Sequence, residues 1–497
     1  MFLWLTALVL AQSPSQALFS QAFSPGERLA QAESSPPAEQ VLPGAMRPLP
    51  GQLDTIPVFN SNSPELVADP GILLSTFPPE GMATPKAHLN FPFQGRFDVF
   101  AHHVYKAADY DSDEPVLLDS LYLGVLVHNP GEAPVTVRVL SGASYLSQPD
   151  APFIPLPSFI PFSPRVPVFA GPGSRAMGDI LQGRRSDVFP ATMTIAPGES
   201  ELLMNQPIPI RELEPPINGR STLAKLESSG PVYVASMAQL VALNEAGDDV
   251  PPSLESWQDL LRSGTLAGPR DRAPAPLPLE EGVQLIYGRV AGVSEGSAWE
   301  ATLTDPVESA GESAGESASE SAGESGAEPA SRLTIPAMGE AFSYGISLLY
   351  AGTMGTQQVQ SAPMLVRYPD TAYQAHGNYG VRYSLSLPLY NPTDVPQTVS
   401  VALQTAIKEE ALSAGGLRFF EDEAPPTFFR GPVQVRYSND RGFPVVRNIH
   451  LVQKRGQKGR ALAQVTLAPG TTRTVSVDLL YPADSTPPQV LTVETMP

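Results

Sequence analysis

The chain contains no cysteine among its 497 residues. That excludes disulfides, thiolate zinc sites and cysteine nucleophiles. Charge is sparse too, at 16% of residues, and one-sided: 31 Lys and Arg stand against 51 Asp and Glu, a formal net charge of −20. A chain this acidic is repelled by DNA, RNA and anionic lipid, so nucleic-acid binding is disfavoured. Long apolar runs are missing. Phe2–Leu10, FLWLTALVL, is too short to span a bilayer and has the length of a signal-peptide h-region. Its n-region has no Lys or Arg, only the terminal amine. No other segment is long and apolar enough for a transmembrane span. HExxH, Walker A and Rossmann glycine patterns are also absent.

Proline is abundant, with 55 residues, about twice the usual ~5%. Proline at that density excludes a mainly helical protein. It fits β-sandwiches with extended, proline-punctuated connections. Hydrophobic residues, at 42%, are enough for sizeable cores, and the length suggests two to three domains of about 100–200 residues each.

The stretch from Phe91 to Leu146 sets the style of the chain. Leu121–Val127 is an apolar run suited to a strand buried on both faces. Asn129-Pro130-Gly131 breaks it, because Pro130 cannot donate to a ladder. Val135, Val137 and Val139 then alternate with Thr136 and Arg138, the pattern of a half-buried strand. Strand, short turn, strand predicts an antiparallel hairpin. The device returns at Tyr383–Tyr390, Asn391-Pro392 and Val399–Val401. Gly-Pro-Val-x-Val also occurs twice, at Gly230–Val234 and Gly431–Val435, as does Ala-Pro-Gly, at Ala196–Gly198 and Ala468–Gly470. The order of these last two is reversed between the halves, which indicates two β domains of similar style rather than a strict tandem duplication.

The expected fold is therefore mainly β: two β-sandwich-like, immunoglobulin-like antiparallel domains with a few short helices. Residues 1–22 read as a signal peptide, with small residues for cleavage at Ala11, Ala17 and Ala22, and 23–45 as a disordered Pro/Ser-rich lead-in. Residues 46–263 form the first β domain. It includes a Pro-rich arm at Pro149–Phe169, expected to lie over its own sandwich. His88–Tyr105 reads as two strands around Gln94-Gly95. Helices are expected after Ser174 and after Ser253, the latter closed by Gly264, with Leu254, Trp257 and Leu261 on one face. Residues 264–282 form a Pro-rich linker. The second β domain, 283–497, carries a flexible low-complexity insertion at 307–330. There a four-residue period would stack Glu on Glu in a helix, and several glycines oppose one as well. Lys454–Arg460 reads as the basic tip of a hairpin, a solubilising turn or a dock for an acidic polymer.

Catalytic signatures find no supporting context. Gly311-Glu-Ser313-Ala-Gly315 matches the nucleophile elbow but sits inside the low-complexity repeat, without the strand and helix that motif needs. Asp109, Asp111 and Asp113 have the D-x-D-x-D spacing of a calcium loop. Glu114 and Ser120 stand where an EF-hand needs Gly and Glu, so the match stops halfway. An alternative metal set is Asp98, His102 and His128. Asp98 and His102 share a strand face, and His128 is on a strand that could lie beside them. His102 and His103, being adjacent, point to opposite faces. No cofactor is implied.

Five phrases, RPLPGQLDTIPVFNSNSPELV, HLNFPFQGRFDVFAHH, YLGVLVHNP, SYLSQPDAPFI and AGPGSRAMGDILQGRR, carry a resemblance. With them the chain resembles a cyanobacterial family of uncharacterised exported proteins, domain of unknown function 3370, from about Met46 to the C-terminus. The resemblance implies a cyanobacterial source and an exported protein, and brings no activity or functional residue. The function expected is thus a non-enzymatic structural or binding component of the cell envelope or periplasm. Its partner would be cell-wall polysaccharide or another envelope protein. The alternatives are a carbohydrate-active or other hydrolase whose carboxylates converge across strands, drawn from Asp98, Asp109, Asp111 and Asp113, and a calcium-stabilised adhesion module.

Overall fold

Period-2 alternation of apolar residues governs the architecture. The computed structural model describes residues 38–497 apart from residues 108–118, 164, 242, 277, 307–330, 423 and 425. The N-terminal apolar run and the Glu/Ser/Ala insertion lie outside the described residues. Within them the chain is mainly β, with sheets of eleven, seven and six strands and two α-helices.

The eleven-stranded sheet folds back on itself around one long strand, Ile217–Val241. The first half of that strand pairs with Phe93–Lys106 and Val135–Leu146; the second half pairs with Gly71–Ser75 and Ser120–His128. The changeover falls between Ser228 and Val232, where Pro231 has no N–H for a ladder. Two layers thus enclose a core that includes Phe97, Val99, Val137 and Leu226 from one side and Leu123, Val125 and Leu203 from the other. As the sequence suggested, Leu121–Val127 is buried on both faces. The seven- and six-stranded sheets enclose a second core. Leu385, Val433 and Val477 meet Val399, Val401 and Val493 there.

Two helices complete the stack. Helix α1, Pro172–Leu181, lies between the two cores, against Val135–Leu146 and Ile217–Val241 on one side and Thr427–Ser438 and Thr472–Leu480 on the other. Its Ala176, Met177 and Ile180 pack with Val58, Phe100, Leu223 and Leu480. Helix α2, Leu254–Ser263, covers the outer face of the first stack, where Trp257 and Leu261 bury against Ile72, Tyr122 and Met237. The Ser253 hydroxyl accepts from Ser256 N at the start of α2, and Gly264 closes it, as its sequence signals require.

Several expectations need correction. The Asn-Pro turns do not make hairpins. Ser120–His128 pairs with Ser200–Ile208, while Val135–Leu146 pairs with Thr192–Ile195 in the facing layer. The cause is the asparagine. Asn129 Nδ2 donates to Ala133 O, Ile195 O and Ala196 O, tying its turn to the Ala-Pro-Gly turn. Asn391 does the same to Val395 O and Leu467 O. Lys454–Arg460 likewise crosses between sheets, from Pro444–Lys454 in the seven-stranded sheet to Ala463–Leu467 in the six-stranded one. Phe93–Lys106 is one strand, with Gly95 at φ +70°. The sheets are mixed: Pro57–Ser61 with Phe93–Lys106, and Glu39–Arg47 with Ala341–Ile346, are parallel pairs.

The halves also exchange strands. Glu39–Arg47, at the end of the expected lead-in, joins the six-stranded sheet, and Phe159–Phe162 of the Pro-rich arm pairs with Pro444–Lys454. Ala291–Glu295 and Ala362–Arg367, from the expected second domain, join the eleven-stranded sheet. The linker is held as well: Ala267 is buried and Gly268 bridges to Asp69. Finally, α1 begins at Pro172 after Gly171, so Ser174 lies inside it.

Candidate functional site

Ionisable side chains gather where the two stacks meet. Asp98 is buried and takes the Lys225 ammonium at 2.5 Å from the neighbouring strand. Burial raises its pKa, against the pull of Lys225. His102 Nδ1 lies 2.8 Å from Ser221 Oγ and its Nε2 lies 3.6 Å from Glu65 Oε1. His103 points the other way: Nδ1 donates to Pro64 O at 2.8 Å, leaving Nε2 to accept from Ser61 Oγ at 2.9 Å. Burial holds the His103 pKa at about 4, so the ring is neutral at pH 7. Burial would raise Glu65 too, but Arg289 and His102 outweigh it and hold the carboxyl below its ordinary value. Asp271 accepts from Ser63 Oγ at 2.6 Å, and burial pushes it up.

The metal set proposed from sequence does not assemble. His128 sits opposite Tyr233 and Asp98 opposite Lys225 on the same long strand, on the order of 25 Å apart at ~3.3 Å per residue. His128 instead bonds Ser200 Oγ at 3.0 Å and stacks near Phe77. Among the described residues, no group of three or more His, Asp or Glu side chains converges to hold a metal ion. Asp109, Asp111 and Asp113 lie outside the described residues.

A second cluster fixes α1. Asp484, buried, accepts from Ser174 N at 2.9 Å with its carboxylate against the first turn of the helix, where backbone N–H groups lack intrahelical partners. A Cβ on Gly171 or Gly173 would lie 2.6 or 2.8 Å from an Asp484 oxygen, so both positions need glycine. Burial raises Asp484 despite these contacts. His450 Nε2 lies 3.3 Å from Ser174 Oγ, and burial holds that ring at about 4. These groups lock one stack to the other.

The open feature lies at the far end of the stack, on the outer face of the six-stranded sheet. A groove of about 240 Å³ runs over Ser400, Ala402, Gln404 and Thr492. The strand Gln397–Gln404 sends Val399, Val401 and Leu403 into the core, so alternation leaves its small and polar residues outward. Across the ladder, Ser400 lies between Gln464 and Glu494, and Ala402 opposite Thr492. One wall is Lys458–Ala461, part of the basic turn, pinned where Gln404 Oε1 accepts from Gly459 N at 3.1 Å. Lys458 reaches Glu494 at 3.8 Å over the opening. The sequence signal for this site is the outward Ser-x-Ala-x-Gln of that strand. Nothing in the sequence set it apart from any other half-buried strand.

Residues 44–495 match the model of a family described as "Protein of unknown function (DUF3370)". The chain belongs to that family. No curated protein matches this member of the family. Among solved structures it matches the coconut allergen cocosin at 8% identity, over 87% of this chain and 86% of that one, with a TM-score of 0.08. Procruciferin, the 11S globulin of Brassica napus, matches at 9% identity over 87% and 85%, with a TM-score of 0.09. Likenesses at those scores carry no argument about fold or function.

Proposed function

We propose that this member of the family is an exported, non-enzymatic component of a cyanobacterial cell envelope, and that it holds a surface polysaccharide in the groove of its six-stranded sheet. The groove carries the reading. Its floor is small and hydroxyl- or amide-bearing and 1–7% exposed, and exposed Gln464 and Lys458 line it from the side, a set of donors and acceptors that suits one edge of a sugar chain. Its rim offers a 3.8 Å contact between exposed Lys458 and half-buried Glu494, long enough to open for a ligand. The ionisable groups at the junction support the same reading, since Asp98, Glu65, Asp271 and Asp484 are each engaged in contacts within the fold.

The test is retention on isolated envelope polysaccharide of the native chain and a Gln464→Trp variant, whose indole would reach over the floor from the exposed ladder partner of Ser400. Retention lost in the variant, with thermal midpoint unchanged, supports the groove. Equal retention of both, or retention only on envelope protein, rejects it. Export is tested apart, by intact mass of the cellular protein. A mass lacking the N-terminal ~11–22 residues, in an envelope or periplasmic fraction, is expected; a full-length mass in the cytoplasm would overturn export.

A further inference from the structure

The junction contains a hydrogen-bonding imbalance. The strands Pro57–Ser61 and Phe93–Lys106 run parallel with Val58 opposite Asp98. Residues two apart share a face, so Val58, Asn60 and Asp98 look toward the same layer. With Leu223, Ser294 and Tyr379 they line a nearly enclosed cavity of about 10 Å³. That is room for one water molecule. Asn60 is 4% exposed and Asp98 1%. Asn60 Oδ1 and Asp98 Oδ1 are both fully buried without a hydrogen-bond partner.

Three neighbouring donor groups are directed elsewhere. The Tyr379 hydroxyl donates to Ser485 O at 3.1 Å. The amide of Asn378, also on the cavity wall, donates to Gln360 O and lies 2.9 Å from Tyr383 Oη. Lys225 is on the other Asp98 oxygen. Leaving two acceptors bare in a buried site is costly. The species that resolves it is one that fits a single water's volume and donates twice.

We infer that this cavity holds one internal water, donating to Asn60 Oδ1 and Asp98 Oδ1, as a fixed part of the joint between the two stacks. A metal ion fits the site poorly. It would share Asp98 with an ammonium already in contact, in a cavity of about 10 Å³ that holds one small molecule and leaves no room for the six or so oxygen ligands a hard cation takes. A donated hydrogen bond to Oδ1 also favours the charged carboxylate that Lys225 requires. The inference is independent of the polysaccharide reading.

A crystal structure of the full chain at atomic resolution tests it first. Density for one water within hydrogen-bond distance of both oxygens is expected. An empty cavity overturns the inference, whether Asn60 is flipped to donate directly or a protonated Asp98 bonds Asn60 itself. In solution, magnetic relaxation dispersion counts long-lived internal waters. Asn60→Leu should remove one while keeping a cooperative melt; a folded variant with the same count rejects the site. Should that variant fail to fold, the native crystal structure decides. Melting in sodium, potassium and choline chloride at equal ionic strength should give one midpoint. A rise specific to one metal ion would replace the water with that cation.

Discussion

The two ends of the stack are finished differently. At one end, the outer face of the eleven-stranded sheet is apolar and lies under α2. Trp257 packs flat on it, Gly124 makes room for the indole, and Trp257 Nε1 donates to Asn205 Oδ1 at 3.2 Å. At the other end, among the described residues, the face around Ser400 and Thr492 has no helix over it and keeps small and polar side chains, themselves 1–7% exposed, on the floor of a groove. Both faces belong to strands that alternate correctly inward. The difference lies in the outward residues: large and apolar where the chain supplies its own cover, small and polar where it leaves space. The covered end is built for stability, and the open end is where the proposed polysaccharide would bind.

That contrast can be broken from either side. Trp257→Ala should be the most damaging change, costing about 3–5 kcal/mol, read as a large drop in denaturation midpoint. Asp484→Ala comes next. It removes the carboxylate from the α1 N-terminus and leaves Arg430 buried without its neighbouring charge, for about 1–3 kcal/mol. Gly124→Ala places a Cβ 2.6 Å from the Trp257 ring and should cost about 1–3 kcal/mol by overpacking. The groove variant Gln464→Trp, at an exposed position of the groove lining, should stay within about 0.5 kcal/mol of the native chain yet lose polymer retention. A groove change that destabilises as much as the Trp257 change would erase the distinction between the ends.

Acid probes the joint between the ends. Burial holds His103, His376 and His450 at about 4, against 6.5 for a free imidazole. The unfolded chain therefore binds more protons between those values, so these groups withdraw stability as pH falls from about 6.5 to 4. Asp98, Asp271 and Asp484, raised by burial, act in the opposite direction. His450→Gln isolates the imidazole contribution: its midpoint should fall less over that range than the native midpoint does. An identical slope would contradict the burial argument.

Much of the fold was legible in local chemistry. Val135–Val139 and Val399–Val401 alternate as strands, and Ser253, Trp257 and Gly264 mark α2 at its ends and on its buried face. The paired Asn-Pro and Ala-Pro-Gly phrases also proved meaningful, since Gly198 N donates to Asn129 O and Gly470 N to Asn391 O, both at 2.9 Å. They lead between layers rather than into the expected hairpins, because a turn's sequence shows that the chain bends but not which sheet it bends toward. The exchange of strands between stacks was illegible for a related reason. Glu39–Arg47 and Phe159–Phe162 are placed by partners 300 or so residues away, and no local period encodes that. The Asp98, His102, His128 set failed because register along a long strand separates residues that share a face pattern. The groove was visible only as outward small residues.

The most direct measurement is retention of the purified full chain on isolated envelope polysaccharide, native against Gln464→Trp, with thermal midpoints recorded alongside. The account expects the native chain to be retained and the variant to be released while melting at the same temperature. Retention of both chains alike, or of neither, would contradict the claim that the uncovered end is the binding end.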